Sequence, residues 1–185
     1  MKKIFALVLI FSVALVGINA QKVNNSNLTG LLGAGNDVQK IDNSFWGCTF
    51  GTTANNVYES LKGLGLEPIP TEDCIYLKNN EIYGIAYATI GMKFTSEDAF
   101  YNIFGYNKFE NKKEAEAAFM DNLSALSKQY PMQQMNKVPG CFKLYAFADG
   151  DADEAFSIGL YKNDSGVFFV RLNIINNYLL KRSKK

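Results

Sequence analysis

Alternating acids at Asp149, Asp151 and Asp153 are the one arrangement in this sequence with the outline of a metal site. Carboxylates two residues apart can direct their oxygens at a single calcium ion. The pattern then breaks, because Glu154 stands where a calcium loop needs glycine and Leu160 where it needs a bidentate acid. These three residues remain a calcium candidate; an acidic hairpin tip kept soluble by its charge is the preferred reading. Glu67, Glu72, Asp73, Glu97 and Asp98 form a second group of acids, all in expected loops. Paired carboxylates hydrolyse glycosides only when held roughly 5–9.5 Å apart, and nothing in the spacing selects a pair. No catalytic residue is assigned.

Histidine is absent. That removes Ser-His-Asp and Cys-His catalysis, histidine-ligated zinc and histidine-held haem, and with them the commonest near-neutral general base. Gly33-Ala34-Gly35 hints at a phosphate-cradling loop, but no strand precedes it and no further glycine completes the motif, so no nucleotide cofactor is expected. The formal net charge of +1 gives no general attraction to nucleic acid. Only Lys181-Arg182-Ser183-Lys184-Lys185 is locally basic.

Met1 to Ala20 reads as a secretory leader: Lys2 and Lys3, an apolar run from Ile4 to Val16, then small residues before a cut ahead of Gln21. The apolar run is shorter than the ~20 residues a spanning helix needs. The expected location is therefore the periplasm or cell exterior, with no membrane-spanning segment after cleavage. An oxidising compartment makes a disulfide the natural use of Cys48, Cys74 and Cys141. Three single bridges are possible. Cys48–Cys74 is preferred because it brackets the first helix, and it would be worth roughly 3.5 kcal/mol if unstrained.

Positioning elements follow from periodicity. Residues 21–44, rich in Asn, Gly and Ser, read as a flexible arm or linker. Phe45, Trp46 and Phe50 are expected to plug one end of the core, with sugar stacking as the functional rival for Trp46. A first helix starts at Thr52 or Thr53, carries Val57, Leu61 and Leu64 as its stripe, and stops at Gly65. Strands are predicted at Cys74–Leu77, then, after an Asn79-Asn80 turn, at Ile82–Phe94 and Phe100–Phe109. Gly84, Ala86 and Ala88 would leave room for a close helix.

A second helix is capped by Asn111 in capping-box spacing with Glu114, repeats Ala115, Phe119, Leu123, Leu126 and Tyr130, and stops at Pro131. Three more strands are predicted at Cys141–Ala148, Ala155–Lys162 and Val167–Ile175, the last two joined by a hairpin turn at Asn163–Gly166. In the last strand Phe168, Val170, Leu172 and Ile174 alternate with Phe169, Arg171 and Asn173, which means one buried face. Residues 176–185 read as a solvated basic tail.

The fold class is thus α+β: an antiparallel sheet of about six strands with two helices on one face, an order that reads as two tandem α-β-β-β units within a single domain at 45–175. The run Phe45-Trp46-Gly47, Phe50-Gly51-Thr52, then Val57, Leu61 and Gly65, resembles the helix entry of small exported bacterial α+β proteins. More distantly it is similar to the β-lactamase-inhibitor-protein-like fold, which also occurs in a small outer-membrane assembly lipoprotein. The match covers about twenty residues, and the lipidated cysteine of that lipoprotein is missing. The resemblance implies a binding or scaffolding role with no catalytic residues to carry over. The expected function is an exported, non-enzymatic module binding a protein or envelope component; inhibition of a secreted enzyme is one form of it. The alternative is an envelope hydrolase or carbohydrate binder using loop carboxylates and aromatics.

Overall fold

Six long segments of alternating apolar and polar residues pair into the main sheet. The computed structural model describes residues 41, 43–136, 138–148 and 154–182. A short hairpin, β1 (Ser44–Phe45) and β2 (Cys48–Thr49), precedes helix α1 (Ala54–Gly63). Strands β3 (Ile69–Pro70), β4 (Cys74–Ile82), β5 (Ile85–Phe94) and β6 (Phe100–Phe109) follow, then helix α2 (Lys112–Ser127). Strands β7 (Gln133–Gln134), β8 (Cys141–Ala148), β9 (Glu154–Lys162) and β10 (Phe168–Asn176) lead into helix α3 (Asn177–Arg182). The chain is α+β, with an eight-stranded antiparallel sheet in the order β3-β4-β5-β6-β10-β9-β8-β7. The expected six strands are the long ones. β3 and β7, two residues each at the sheet edges, are too short to carry a periodic signal.

The core forms where the helix stripes meet alternate strand residues. Val57 and Leu61 of α1 and Ala115, Phe119, Leu123 and Leu126 of α2 belong to one apolar cluster. Val170, Leu172 and Ile174 of β10 belong to it too, as the alternation predicts. Each fully buried side chain of this size contributes about 1.5–3 kcal/mol. Thr53 caps α1, its hydroxyl accepting from Asn56 N at 3.5 Å. Asn111 caps α2, accepting from Lys113 N at 2.8 Å. Leu64, the expected third member of the α1 stripe, is 59% exposed. It lies past the last helical turn, and Gly65 then takes a left-handed φ of 76°.

Three expectations need correction. The β4–β5 turn is Tyr83-Gly84, both left-handed at φ 54° and 70°, and not Asn79-Asn80. β4 continues through Asn79, which is itself left-handed at φ 49°. Leu77 and Ile82 lie five residues apart yet both reach the core, which a regular two-residue alternation forbids. The irregular backbone at Asn79 supplies the reversal. In consequence Ile85 and Tyr87 face the core, whereas Gly84, Ala86 and Ala88 are exposed.

The second correction concerns the C-terminal segment, expected as a solvated tail. Asn177–Arg182 form α3, with the Asn176 side chain accepting from Leu179 N at 2.9 Å. α3 lies against β6 and β9. The third concerns the end of the expected arm: Ile41 is buried in the core, and Asn43 Nδ2 donates to Glu154 Oε1 at 3.0 Å. The expected leader at Met1–Ala20 and the arm up to residue 40 lie outside the described residues. Among the described residues no helix is long and apolar enough to cross a membrane.

Candidate functional site

Side chains that alternate with the core residues point to the opposite face of the sheet. The strand registers align Lys78, Thr89, Tyr106, Arg171, Gly159 and Leu144 in one row across β4, β5, β6, β10, β9 and β8. A neighbouring row runs from Tyr76 through Gly91 and Phe104 to Asn173. This face is chemically unlike the core. Lys78 Nζ donates to Thr89 Oγ1 across the strand pair at 3.1 Å. The Arg171 guanidinium sits over the Phe104 ring, 4.5 Å from its centroid. The Lys108 ammonium lies 5.9 Å from the Tyr106 ring and 6.0 Å from that of Phe169.

Aromatic contacts run continuously through the rows. Tyr76 meets Phe104 edge-on at 6.3 Å, Phe104 stacks on Tyr106 at 6.4 Å, and Tyr106 meets Phe169 edge-on at 6.1 Å. Two glycines make this possible. A Cβ on Gly91 would collide with the Phe104 ring, and one on Gly159 with the Tyr161 ring. Each ring therefore occupies the space that a side chain on the glycine would fill. Tyr76, Tyr106, Phe169, Tyr161 and Arg171 are all half-buried, although the Arg171 Nε itself is shielded from solvent.

Burial is the main electrostatic influence here. It lowers the proton affinity of Arg171, while Tyr161, Tyr106, Tyr76 and Cys74 act in the opposite sense; the guanidinium stays charged. Burial likewise lowers the Lys93 pKa, against the raising effect of Asp73. Burial pushes the Cys74 thiol up to about 12, so it is protonated at neutral pH and no nucleophile. Asn102 Nδ2 donates to Asn173 Oδ1 at 3.0 Å and to Ile174 O at 2.7 Å.

The sequence-predicted cysteine bridge is not formed. Cys48, Cys74 and Cys141 are all buried, and none is in a disulfide. Cys48 is in the core cluster, and its thiol faces Trp46 O at 3.9 Å. Cys74 alternates with core-facing Ile75 and so lies on the other side of the sheet. Trp46 is half-buried against the core at a left-handed φ of 50°, its carbonyl accepting from Ser60 Oγ at 3.0 Å. Asp149, Asp151 and Asp153 lie outside the described residues. Among the described residues no group of three or more acids or cysteines could hold a metal.

The loop acids are partly brought together. An open cleft of about 720 Å³ beside the start of α1 is lined by Glu72, Asp73 and Asp98, with Tyr58 and Asn55 from the helix. Asp98 Oδ1 accepts from Ala54 N at 3.1 Å and so secures the first turn of α1. Glu67 and Glu97 do not line the cleft.

Sequence reading missed the Arg171 row. Its only trace was the second half of the β10 alternation, Phe169-x-Arg171-x-Asn173, whose neighbours depend on register. No family model, curated protein or solved structure matches this chain.

Proposed function

We infer that the protein is an exported, non-enzymatic α+β module that binds a protein or envelope component through the sheet face opposite its core. The observation that carries this reading is the aromatic run in which half-buried Tyr76, Tyr106 and Phe169 surround the buried Phe104, with Arg171 set over it. Tyr, Phe and Arg are the residue types that concentrate binding energy at protein interfaces. In this reading α1 and α2 cover the same face and leave the other to a partner. The element order, a helix followed by strands, twice over, is that of two tandem units joined at β6 and β10. The likeness to the β-lactamase-inhibitor-protein-like fold belongs to the same proposal. So do cleavage before Gln21 and residence in the periplasm or outside the cell. Neither a cofactor nor nucleic acid enters it.

The test is capture from an envelope extract by the immobilised protein, compared across variants. A discrete partner retained by wild type and by Met120→Ala on α2, and lost with Tyr106→Ala/Phe169→Ala, supports the reading. Equal retention by the double variant contradicts it.

A second reading, an envelope hydrolase or carbohydrate binder, is favoured by the cleft that gathers Glu72, Asp73 and Asp98 beside Tyr58. Acids flanking an aromatic are the elements of glycoside recognition. Chitooligosaccharide or peptidoglycan fragments that raise the melting temperature of wild type, but not of Glu72→Gln/Asp73→Asn, would support it. No shift with either would exclude these ligands.

A further inference from the structure

We propose that the exposed side of helix α3, with the basic residues that follow it, docks on a membrane surface rich in anionic phospholipid. This site is distinct from the sheet face opposite the core, and neither depends on the other. Charge is the first observation. Lys181, Arg182, Lys184 and Lys185 are four of the chain's 19 lysines and arginines, gathered within five consecutive residues. The other residues carry 15 cations against 18 acids, a formal charge of −3. Between Asp164 and Lys185 there is no aspartate or glutamate, so the cluster has no counter-charge close in sequence.

The fold gives the start of this cluster a direction. α3 lies against β6 and β9, with Leu179 and Leu180 half-buried. Tyr178, Lys181 and Arg182 are exposed, and their i, i+3 and i+4 spacing sets them on one side of the helix. Tyr178 is 52% exposed, and the Arg182 guanidinium lies 5.7 Å from its ring centroid. The foot of the helix is fastened. Asn176 Oδ1 accepts from Leu179 N at 2.9 Å, and Asn176 Nδ2 donates to Glu154 Oε1 at 3.2 Å. An outward tyrosine beside two cations matches the interfacial layer of a bilayer: the ring sits at headgroup level while the cations pair with lipid phosphates. A basic cluster and an amphipathic ring are two signals, which together hold a protein to a surface better than either alone. A nucleic acid would need a longer basic track, and the net negative charge of the other residues opposes it.

The experiment is co-sedimentation of the full-length protein with vesicles of phosphatidylcholine alone, or of phosphatidylcholine and phosphatidylglycerol in equal parts, with oligothymidylate as competitor. Binding to the mixed vesicles is expected to be at least tenfold tighter than to phosphatidylcholine, and to weaken as salt rises. Each cation at an anionic surface strengthens binding about fivefold, so Lys181→Gln/Arg182→Gln should weaken it roughly 25-fold. Lys184→Gln/Lys185→Gln lies beyond α3 and should cost a similar factor, which separates lost charge from a lost helix. Tyr178→Ala should weaken binding severalfold and leave its salt dependence unchanged. Equal binding to the two kinds of vesicle overturns the proposal, as does undiminished binding by both glutamine variants. Displacement from the mixed vesicles by oligothymidylate at equal charge concentration also overturns it, and gives the cluster to nucleic acid.

Discussion

The guanidinium of Arg171 rests 4.5 Å from the centroid of the Phe104 ring, and that ring fills the space where a Gly91 side chain would stand. Three strands thus cooperate in one contact: β10 brings the cation, β6 the ring and β5 the space beneath it. Gly91→Ala should expel the ring and destabilise the fold by about 1–3 kcal/mol, the usual cost of overpacking. Denaturant midpoints would measure this. A neutral outcome would mean that Phe104 has somewhere else to go.

Phe119 and Leu61 are fully buried in the shared core, whereas Leu64 is exposed. Phe119→Ala is expected to cost about 3–5 kcal/mol and Leu61→Ala about 2–5 kcal/mol. Leu64→Ala should stay within about 0.5 kcal/mol, although heptad-like spacing alone would rank it beside Leu61. Chemical denaturation of the three variants separates the outcomes.

Cys48, Cys74 and Cys141 contribute as buried thiols and not as a crosslink. Adding reductant should leave the melting temperature unchanged, and alkylation after unfolding without reductant should modify all three residues. A disulfide in the native protein would instead show as a loss of about 2–5 kcal/mol on reduction.

Alkaline pH should destabilise the protein. The folded Cys74 holds its proton to about 12, against an ordinary value of 9.0, and burial raises Tyr87 and Tyr161 in the same direction. The folded state then binds protons more tightly than the unfolded one. The stabilisation is complete below pH 9 and is lost as pH climbs toward 12. A single such group contributes a slope of up to about 1.4 kcal/mol per pH unit. Unfolding followed from pH 8 to pH 12 should show the decline, and Cys74→Ser should flatten it.

Helix α2 and the strands β6 and β8 were legible because each carries a sustained period and clear ends: Asn111 as cap, Phe100 and Phe109 as strand limits. The β4–β5 hairpin was not. Asn79-Asn80 is a common turn pair, and a strand passing through a left-handed asparagine leaves no periodic mark. The exposure of Ala86 and Ala88 followed from the same displacement. Helix α3 escaped notice because six residues after a strand are too few for a repeating stripe. The Arg171 row depends on which residues register brings opposite one another, and local sequence does not encode that. The cleft acids, by contrast, were named from their loops, and only their grouping was unknown.

Position-resolved photo-crosslinking tests the account most directly. A photoreactive side chain would replace Lys108, on the face opposite the core, or Met120, exposed on α2. Irradiation in envelope extract should give a discrete covalent adduct from position 108 and none from position 120. An adduct from 120 alone, or equal adducts from both, would contradict the assignment of the binding surface.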